Sequence, residues 1–594
     1  MRRRQFLGTL AAGTAAAASP LGTAVPAGAA PAPARGGPPT VTAADLRFRP
    51  RTLRPGSAHQ AGLLPEQLAG VVPAAAEYTR PGPDRPHPSH PGFVLLAARD
   101  GVIAEHAAHG HALRYERWDA DAAQAVELPR EQWEPMRPDT VFDMASVSKL
   151  FTSVVLTILA ERGDLDLSAP VARYLPPFAA ADPAKAPITV RQLLTHTSGM
   201  KPWISLAGYA DREARLAAVY AEPLVSGPGT AYAYSDLNLI TAGRVAEEIA
   251  GKGLDALVAE LITGPLGMRD TGYNPPAGRL HRIAATEYQP WTGRGMVRGT
   301  VHDENAWYLG GVAGHAGIFS TAADMAVFGQ TVLNGGVHAG TRLLREDTVR
   351  TMLTNHNAHL GGGAARGLGW QLDQRWYMDA LTSPVSFGHT GYTGTCLVGD
   401  PLSGTLFVLL TNRVHPTREW GTVSDYRRAP ARRLARALPV RPRVGRSAWF
   451  SGQADGATAT LRVPLAEPVR RDAGLRFRLW YDTEASDVCT VQATTDGGTT
   501  WQAVPLELRQ DRHRWHTTGT FSGFARRRWT DVRVALPDGV TGVRWRYATD
   551  PAYQGRGVYV QDIRVLAGPR PVFLSLRPRD NARIRAEGWA ESRN

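Results

Sequence analysis

Ser146 and Lys149 stand three residues apart in Phe142-Asp143-Met144-Ala145-Ser146-Val147-Ser148-Lys149-Leu150-Phe151-Thr152. One helical turn separates them, so a helix here sets a hydroxyl and an amine on one face. The lysine is informative in itself. The chain has 67 basic residues, yet only Lys149, Lys185, Lys201 and Lys252 are lysine. Where bare positive charge is enough, this sequence uses arginine. A guanidinium stays protonated, whereas a desolvated ammonium can lose its proton and act as a base. The chemistry implied is attack by a serine oxygen on an acyl carbon, giving a covalent acyl-enzyme.

With four lysines, a serine at this offset arises by chance in roughly one chain in five. A second case is present, Ser198-Gly199-Met200-Lys201. Context separates the two. After Ser146, the residues Val147, Leu150, Phe151, Val154, Ile158 and Leu159 form a helical stripe, and Gly163 is a stop signal. Ser146 then lies at a helix N-terminus, where backbone N–H groups favour developing negative charge. Ser198 is followed by Gly199 and Pro202, which predicts a turn.

Two further segments carry groups suited to this chemistry. Tyr234-Ser235-Asp236-Leu237-Asn238-Leu239 precedes a helix expected over 240–249. The Tyr234 phenol can shuttle protons if cations lower its pKa, or can be an ordinary core tyrosine. Phe387-Gly388-His389-Thr390-Gly391-Tyr392-Thr393-Gly394-Thr395 reads as an edge strand able to offer a backbone N–H to an oxyanion, or as a plain glycine-rich strand end. Cys396 and Cys489 fall in separate regions without local activation, and read as small core residues rather than a disulfide. Neither His302-Asp303-Glu304 nor His106, His109 and His111 completes a compact ligand set, so no metal is expected, and the chemistry calls for no cofactor.

Stepping along the chain, Ser146-x-x-Lys149, Tyr234-Ser235-Asp236 and His389-Thr390-Gly391 occur in that order. Together they resemble the serine β-lactamase and penicillin-binding protein superfamily, in its class C-like branch with esterases and D-amino-acid peptidases. Gly163–Pro170, Leu193–Gly199, Pro265–Met268 and Ser320–Asp324 resemble it too. The likeness spans about residues 57–440. It implies an acylated Ser146, with Lys149 and Tyr234 sharing general-base and general-acid duty. It also implies an oxyanion hole of the Ser146 and Tyr392 backbone N–H groups. Asp236, His389, Thr390, Gly391 and His302 would contact substrate. Two positions depart from the pattern: Asp236 stands for the family's Asn, and His389 for its Lys. A carboxylate accepts where the amide donates, which disfavours β-lactam turnover. The run Val301–Ala306 with Gly310–Gly317 resembles a subset associated with peptidoglycan-cleaving glycosidases, pointing to cell-wall fragments as substrate. The rival readings are a β-lactamase, and a catalytically silent wall-binding or sensor protein that keeps the fold.

The elements that must position these groups follow from the patterning. At 594 residues and 43% hydrophobic composition, two or three cores are expected. Residues 1–30 read as a twin-arginine export signal, Arg2-Arg3-Arg4-Gln5-Phe6-Leu7 ahead of an Ala-rich stretch. Export would make the protein secreted or cell-envelope. Residues 31–56 read as linker. From 57 to 440, a helix near Leu64–Leu68 interrupted at Pro73, a hairpin at 93–104, a large helical insert, strands at 385–389, 395–399 and 405–411, and a closing helix from Pro430 to Leu438 predict an α+β fold on an antiparallel sheet. Residues 445–567 alternate at period two and predict a β-sandwich, resembling the jelly-roll modules of secreted hydrolases, with 568–594 as a tail. This module is a candidate cell-wall polymer binder, and its acids Asp482, Glu484 and Asp487 read as a calcium loop or a solvated one. The net charge of +13 suits anionic surroundings. No zinc-finger spacing, RNP strand or long basic helix supports a nucleic-acid partner, and no stretch is apolar enough to span a membrane.

Overall fold

A computed structural model describes residues 37–594 except 181, 422 and 423. The export signal and the first residues of the expected linker lie outside the described residues. No helix among the described residues is long and apolar enough to cross a membrane.

The apolar run Phe93–Ala98 forms the strand Gly92–Arg99 and alternates between two cores. Val94, Leu96 and Ala98 face one helical layer, while Phe93, Leu95 and Ala97 face another. Covering both faces with helices is why this strand reads as continuously hydrophobic. It pairs antiparallel with Val102–Leu113 on one side and Thr405–Thr411 on the other, and Cys396–Asp400, Phe387–Thr390 and Gln371–Leu372 extend the sheet. One layer holds the helices Ser148–Arg162, Asp236–Ala250 and Ala322–Leu333. The other holds Val71–Ala76 and the closing helix Asp425–Ala437.

Several boundaries differ from the sequence expectation. Residues 41–55 are not simply linker: Val41, Ala43 and Leu46 are buried in the main core, and Arg54–Pro55 pairs in parallel with Val102 and Ile103. The first helical region breaks at Ala69–Gly70 rather than Pro73, which sits in the first turn of Val71–Ala76 where its missing N–H costs nothing. The closing helix starts at Asp425, with Pro430 inside it, because Tyr426 and Arg427 are buried against the fold. The helix after Tyr234 begins at Asp236, four residues before the expected Ile240.

The C-terminal all-β domain is a sandwich of an eight-stranded and a six-stranded sheet. Leu461, Phe477, Val491, Leu508, Trp515, Trp545 and Val565 pack between them. Residues 568–594 do not trail: Arg570–Leu574 and Ala590–Ser592 join the larger sheet, and Arg585–Glu587 joins the smaller. Short strands flanked by arginines gave little periodicity, which hid them.

The basic closing helix is the bridge to the sandwich. Arg428 donates to the Ala552 carbonyl at 2.7 Å, Arg432 to Asp455 at 2.9 Å and Arg436 to Gln453 at 2.7 Å. Beside it, the buried Arg527 of the sandwich reaches Asp400 at 2.5 Å, Asp482 at 2.8 Å and the Thr382 carbonyl at 2.6 Å. Burial opposes ionisation of Asp400, but the Arg527 charge together with hydrogen bonds from Ser383, Ser403 and Arg527 outweighs it and holds the carboxyl below its ordinary value. Arg527→Ala leaves two carboxylates buried without their cation. It is expected to cost about 3–5 kcal/mol in denaturant unfolding. Asp400→Asn should recover part of that loss in the double variant.

Candidate active site

From Thr140 to Leu159 every residue is buried except Ser146, which is half-buried and reaches solvent. The chain arrives on the short strand Phe142–Asp143, turns through Ala145 at φ 45°, passes one 3-10 turn and enters the helix Ser148–Arg162. A left-handed alanine is strained, and the turn persists because its neighbours fix it. Asp143 Oδ1 accepts from the Ala145 N–H at 2.8 Å, and Asp143 Oδ2 from the His302 N–H at 2.6 Å. Thr393 and Thr395 then donate to the Asp143 and Met144 carbonyls at 2.7 and 3.1 Å. These bonds tie the serine turn to the 391–395 loop. A Cβ on Gly391 would lie 2.5 Å from the Met144 carbonyl and 2.1 Å from Thr395 Oγ1, so only glycine permits the approach.

Lys149 is fully buried and its ammonium has three partners: Ser146 Oγ at 2.7 Å, the His315 carbonyl at 3.1 Å and Asp236 Oδ1 at 2.8 Å. Burial pulls the Lys149 pKa down, but the Asp236 carboxylate and Tyr234 outweigh it and the net shift is upward. The Tyr234 phenol is within hydrogen-bonding reach of both Lys149 and Ser146. Burial raises its pKa, the Lys149 charge opposes, and Asp236 adds to the rise. Asp236 is the first residue of its helix, where an acid is favoured. The substituted position therefore sits on the lysine itself.

The structure brings Ser146, Lys149, Tyr234 and Asp236 together as expected, and sorts the remaining candidates. Thr390 is half-exposed, and its hydroxyl has no hydrogen bond among the described residues. The Tyr392 N–H is likewise unpaired there. His389 is buried, with Nδ1 on the Thr390 carbonyl at 2.7 Å and Nε2 unpartnered. Burial, then Lys149 and Arg366, push its pKa well below the usual value, so it is a neutral ring in the place of a lysine. Gly391 does not face substrate: its N–H goes to the Thr395 carbonyl and its carbonyl accepts from Arg427. His302 is also not a pocket residue. Its Nε2 bonds Glu287 at 2.8 Å, and its ring backs Tyr392 at 5.8 Å. Burial opposes ionisation of Glu287, but His302 and Arg418 hold its carboxyl down at about 2, so His302 is committed to that charge.

Three functional neighbours escaped the sequence reading. The His196 ring packs against Tyr234 with centres 4.6 Å apart and planes tilted by 40°, and its Nδ1 accepts from the Ser235 N–H at 3.1 Å, fixing the tyrosine turn. Its signal was the Leu193–Gly199 segment. His315 supplies a carbonyl to Lys149 and pairs through Nε2 with Asp303 at 2.8 Å. Arg366 is 6% exposed and contacts the Tyr232 hydroxyl, and its guanidinium lies 6.0 Å from the Tyr234 ring centre. Its Nε and Nη1 have no partner among the described residues. Nothing in the glycine-rich run around it marked this arginine among so many.

Ser198 is a structural turn residue, buried and bonded to Asn238 at 2.5 Å, while Lys201 pairs with Glu222. Asp236, Asp303 and His315 bring ligand-type atoms within 4.8 Å of one another. However, Asp236 is engaged by Lys149 and Asp303 by His315, which makes two adjoining ion pairs. In the sandwich, Glu484 and Asp487 converge with Asp550, whereas Asp482 is held by Arg527. Cys396 and Cys489 are free and buried.

The Beta-lactamase family model matches residues 74–431, and the chain belongs to that family. A relative from Escherichia coli (strain K12), named "Putative D-alanyl-D-alanine carboxypeptidase", is 33% identical over 381 residues, covering 59% of this chain and 84% of the relative. Among solved structures, a penicillin-binding protein homolog from Caulobacter crescentus aligns with TM-score 0.48 and 20% identity, covering 63% of this chain and 98% of its own. EstCE1, a hydrolase with promiscuous acyltransferase activity, aligns with TM-score 0.48 and 22% identity, covering 64% and 99%. The protein is a serine hydrolase of the β-lactamase-related family.

Asp236→Asn removes the charge that raises Lys149. The acid limb of the pH–rate profile for ester hydrolysis should move to lower pH by about 1–3 units, because less alkali is needed to free the amine. Penicillin acylation should rise in the same variant. Stopped-flow rates across pH check both.

Proposed function

We propose that the protein hydrolyses an ester or amide through a Ser146 acyl-enzyme, with a D-amino-acid peptide derived from the cell wall as the natural substrate. The observation that carries this reading is the Ser146–Lys149–Tyr234 cluster, with Ser146 the one solvent-reaching residue of its segment. In this reading neutral Lys149 takes the Ser146 proton as Oγ bonds the acyl carbon. The Ser146 and Tyr392 N–H groups hold the oxyanion. Tyr234 passes the proton to the leaving amine or alkoxide as its bond to carbon breaks. Water then attacks the Ser146 ester, Tyr234 and Lys149 accept its proton, and Oγ regains a hydrogen. Asp236 holds the resting lysine as an ammonium, so a turnover starts only from the fraction of molecules in which Lys149 has lost its proton to solvent.

Arg366 supports a substrate that ends in a free carboxylate. A buried guanidinium with unused N–H groups is costly without an anion, and a substrate carboxylate accepting from one of them would supply it. Thr390 adds a free hydroxyl nearby. The printed name of the Escherichia coli relative supports the same class. An amide donor is missing at Asp236, which speaks against efficient β-lactam turnover. The segment Arg2–Leu7 supports export by the twin-arginine route.

Fluorophosphonate should label Ser146, and Ser146→Ala should abolish both labelling and hydrolysis, whereas Ser198→Ala keeps both. A labelled Ser146→Ala protein would overturn the assignment. Lys149→Arg should be nearly as inactive as Lys149→Ala, since charge survives without the titratable amine. Arg366→Gln should raise KM for a peptide ending in D-alanine by about tenfold to a hundredfold, the loss of one charged hydrogen-bond pair. A neutral ester should change far less, so parallel KM measurements separate a carboxylate site from general damage.

A further inference from the structure

The outer face of the larger sandwich sheet carries a row of arginines that the strand register forces together. On the exposed side, Arg533 stands directly opposite Arg476, and Arg476 opposite Arg564. In the next row Arg509 stands opposite Arg514. Like charges in directly opposed positions are destabilising, so a fold gains nothing from this row by itself. The face holds three carboxylates, and they are already used. Asp562 pairs with Arg564 at 2.8 Å, Asp531 with Arg478 at 3.4 Å and Glu507 with Arg514 at 3.9 Å. Arg476, Arg509 and Arg533 are exposed and form no ion pair among the described residues. These side chains border a shallow cavity of about 190 Å³ on that face.

The other sheet shows that outward arginines need not be left so. There Arg544 bonds Gln492 at 2.8 Å and lies over the Trp501 ring at 4.3 Å, and Arg462 pairs with Glu587 at 3.7 Å.

We propose that the Arg533–Arg476–Arg564 face binds a linear polyol phosphate, a flexible chain of phosphodiester-linked units running across the strands. Three neighbouring strands, spaced about 4.8 Å apart, each present a guanidinium, with Glu507 ending the row opposite Arg533, and the guanidinium fork matches phosphate oxygens. Among the described residues the face has no exposed Trp, Tyr or Phe, and its exposed His516 stands opposite Glu507 at one end of the arginine row. Single-stranded nucleic acids are gripped largely by stacking bases on aromatic platforms, so the absence of one favours a chain without rings. Binding would release counterions and weaken steeply with salt.

The test uses the full chain on immobilised poly(glycerol phosphate), titrated between about 50 and 200 mM salt. Arg476→Gln/Arg533→Gln should weaken binding at least tenfold and flatten the salt dependence by one to two in slope, roughly 0.7 per lost contact. Its thermal midpoint should hold or rise as like-charge repulsion is relieved, and ester hydrolysis should be unchanged. Arg509→Gln, outside the opposed row, should weaken binding several-fold and covers the case of a misfolded double variant. Arg470→Gln/Arg471→Gln, at an exposed turn of the same sandwich, should bind like the parent. The proposal is overturned by absence of saturable binding or by equal loss in the control pair. It is also overturned if a single-stranded oligonucleotide or polygalacturonate of matched charge binds as tightly.

Discussion

A single buried charge organises the catalytic half of the molecule. Lys149 has been taken out of water, and an ammonium in that position persists only if partners replace its hydration. Asp236, Ser146 and the His315 carbonyl are those partners, and each fixes a different part of the chain. Asp236 anchors the start of its helix, which sets Tyr234 two residues upstream. Ser146 is held at the mouth of its own helix. His315, paired with Asp303, locks the 303–315 segment. The lysine is thus both the base of the reading and the point where three segments distant in sequence are registered.

The second constraint is the stitching of the serine turn to the 391–395 loop after the strand Phe387–Thr390, which is not the expected edge strand because Gln371–Leu372 pairs outside it. Thr393 and Thr395 reach the carbonyls just before Ser146, and Gly391 lets the two backbones close. The Tyr392 N–H is left without a partner among the described residues. Glu287, His302 and Arg418 form the wall behind it. Such a wall is why a histidine beside a catalytic loop can be structural: the buried carboxylate claimed it first.

Much of this was legible in the sequence because it is local. Ser146 and Lys149 one turn apart, Tyr234 before a helix, and His389-Thr390-Gly391 on a strand are short-range patterns, and the alternating runs from 459 onward announced the sandwich. What was not legible depends on contacts between segments far apart. His302 was read as a pocket residue because its partner Glu287, fifteen residues upstream, could not be seen. Arg366 carries no local mark, and its meaning comes from donors left unpaired after folding. The tail strands 570–592 are short and arginine-flanked, so period two had too few residues to show.

Arg527 has a consequence for reach. A module attached through a flexible tether samples a volume, and its effect on a neighbouring site follows from linker length. Here the junction is a buried cation between Asp400, at the end of a central hydrolase strand, and Asp482, in the sandwich core. The two halves are joined by buried ion pairs and hydrogen bonds rather than by a free tether. A polymer bound on the sandwich, as proposed above, would then lie at a set distance and heading from Ser146, and the sandwich would act as a gauge for which bond of a long substrate is presented rather than as a leash that raises its local concentration.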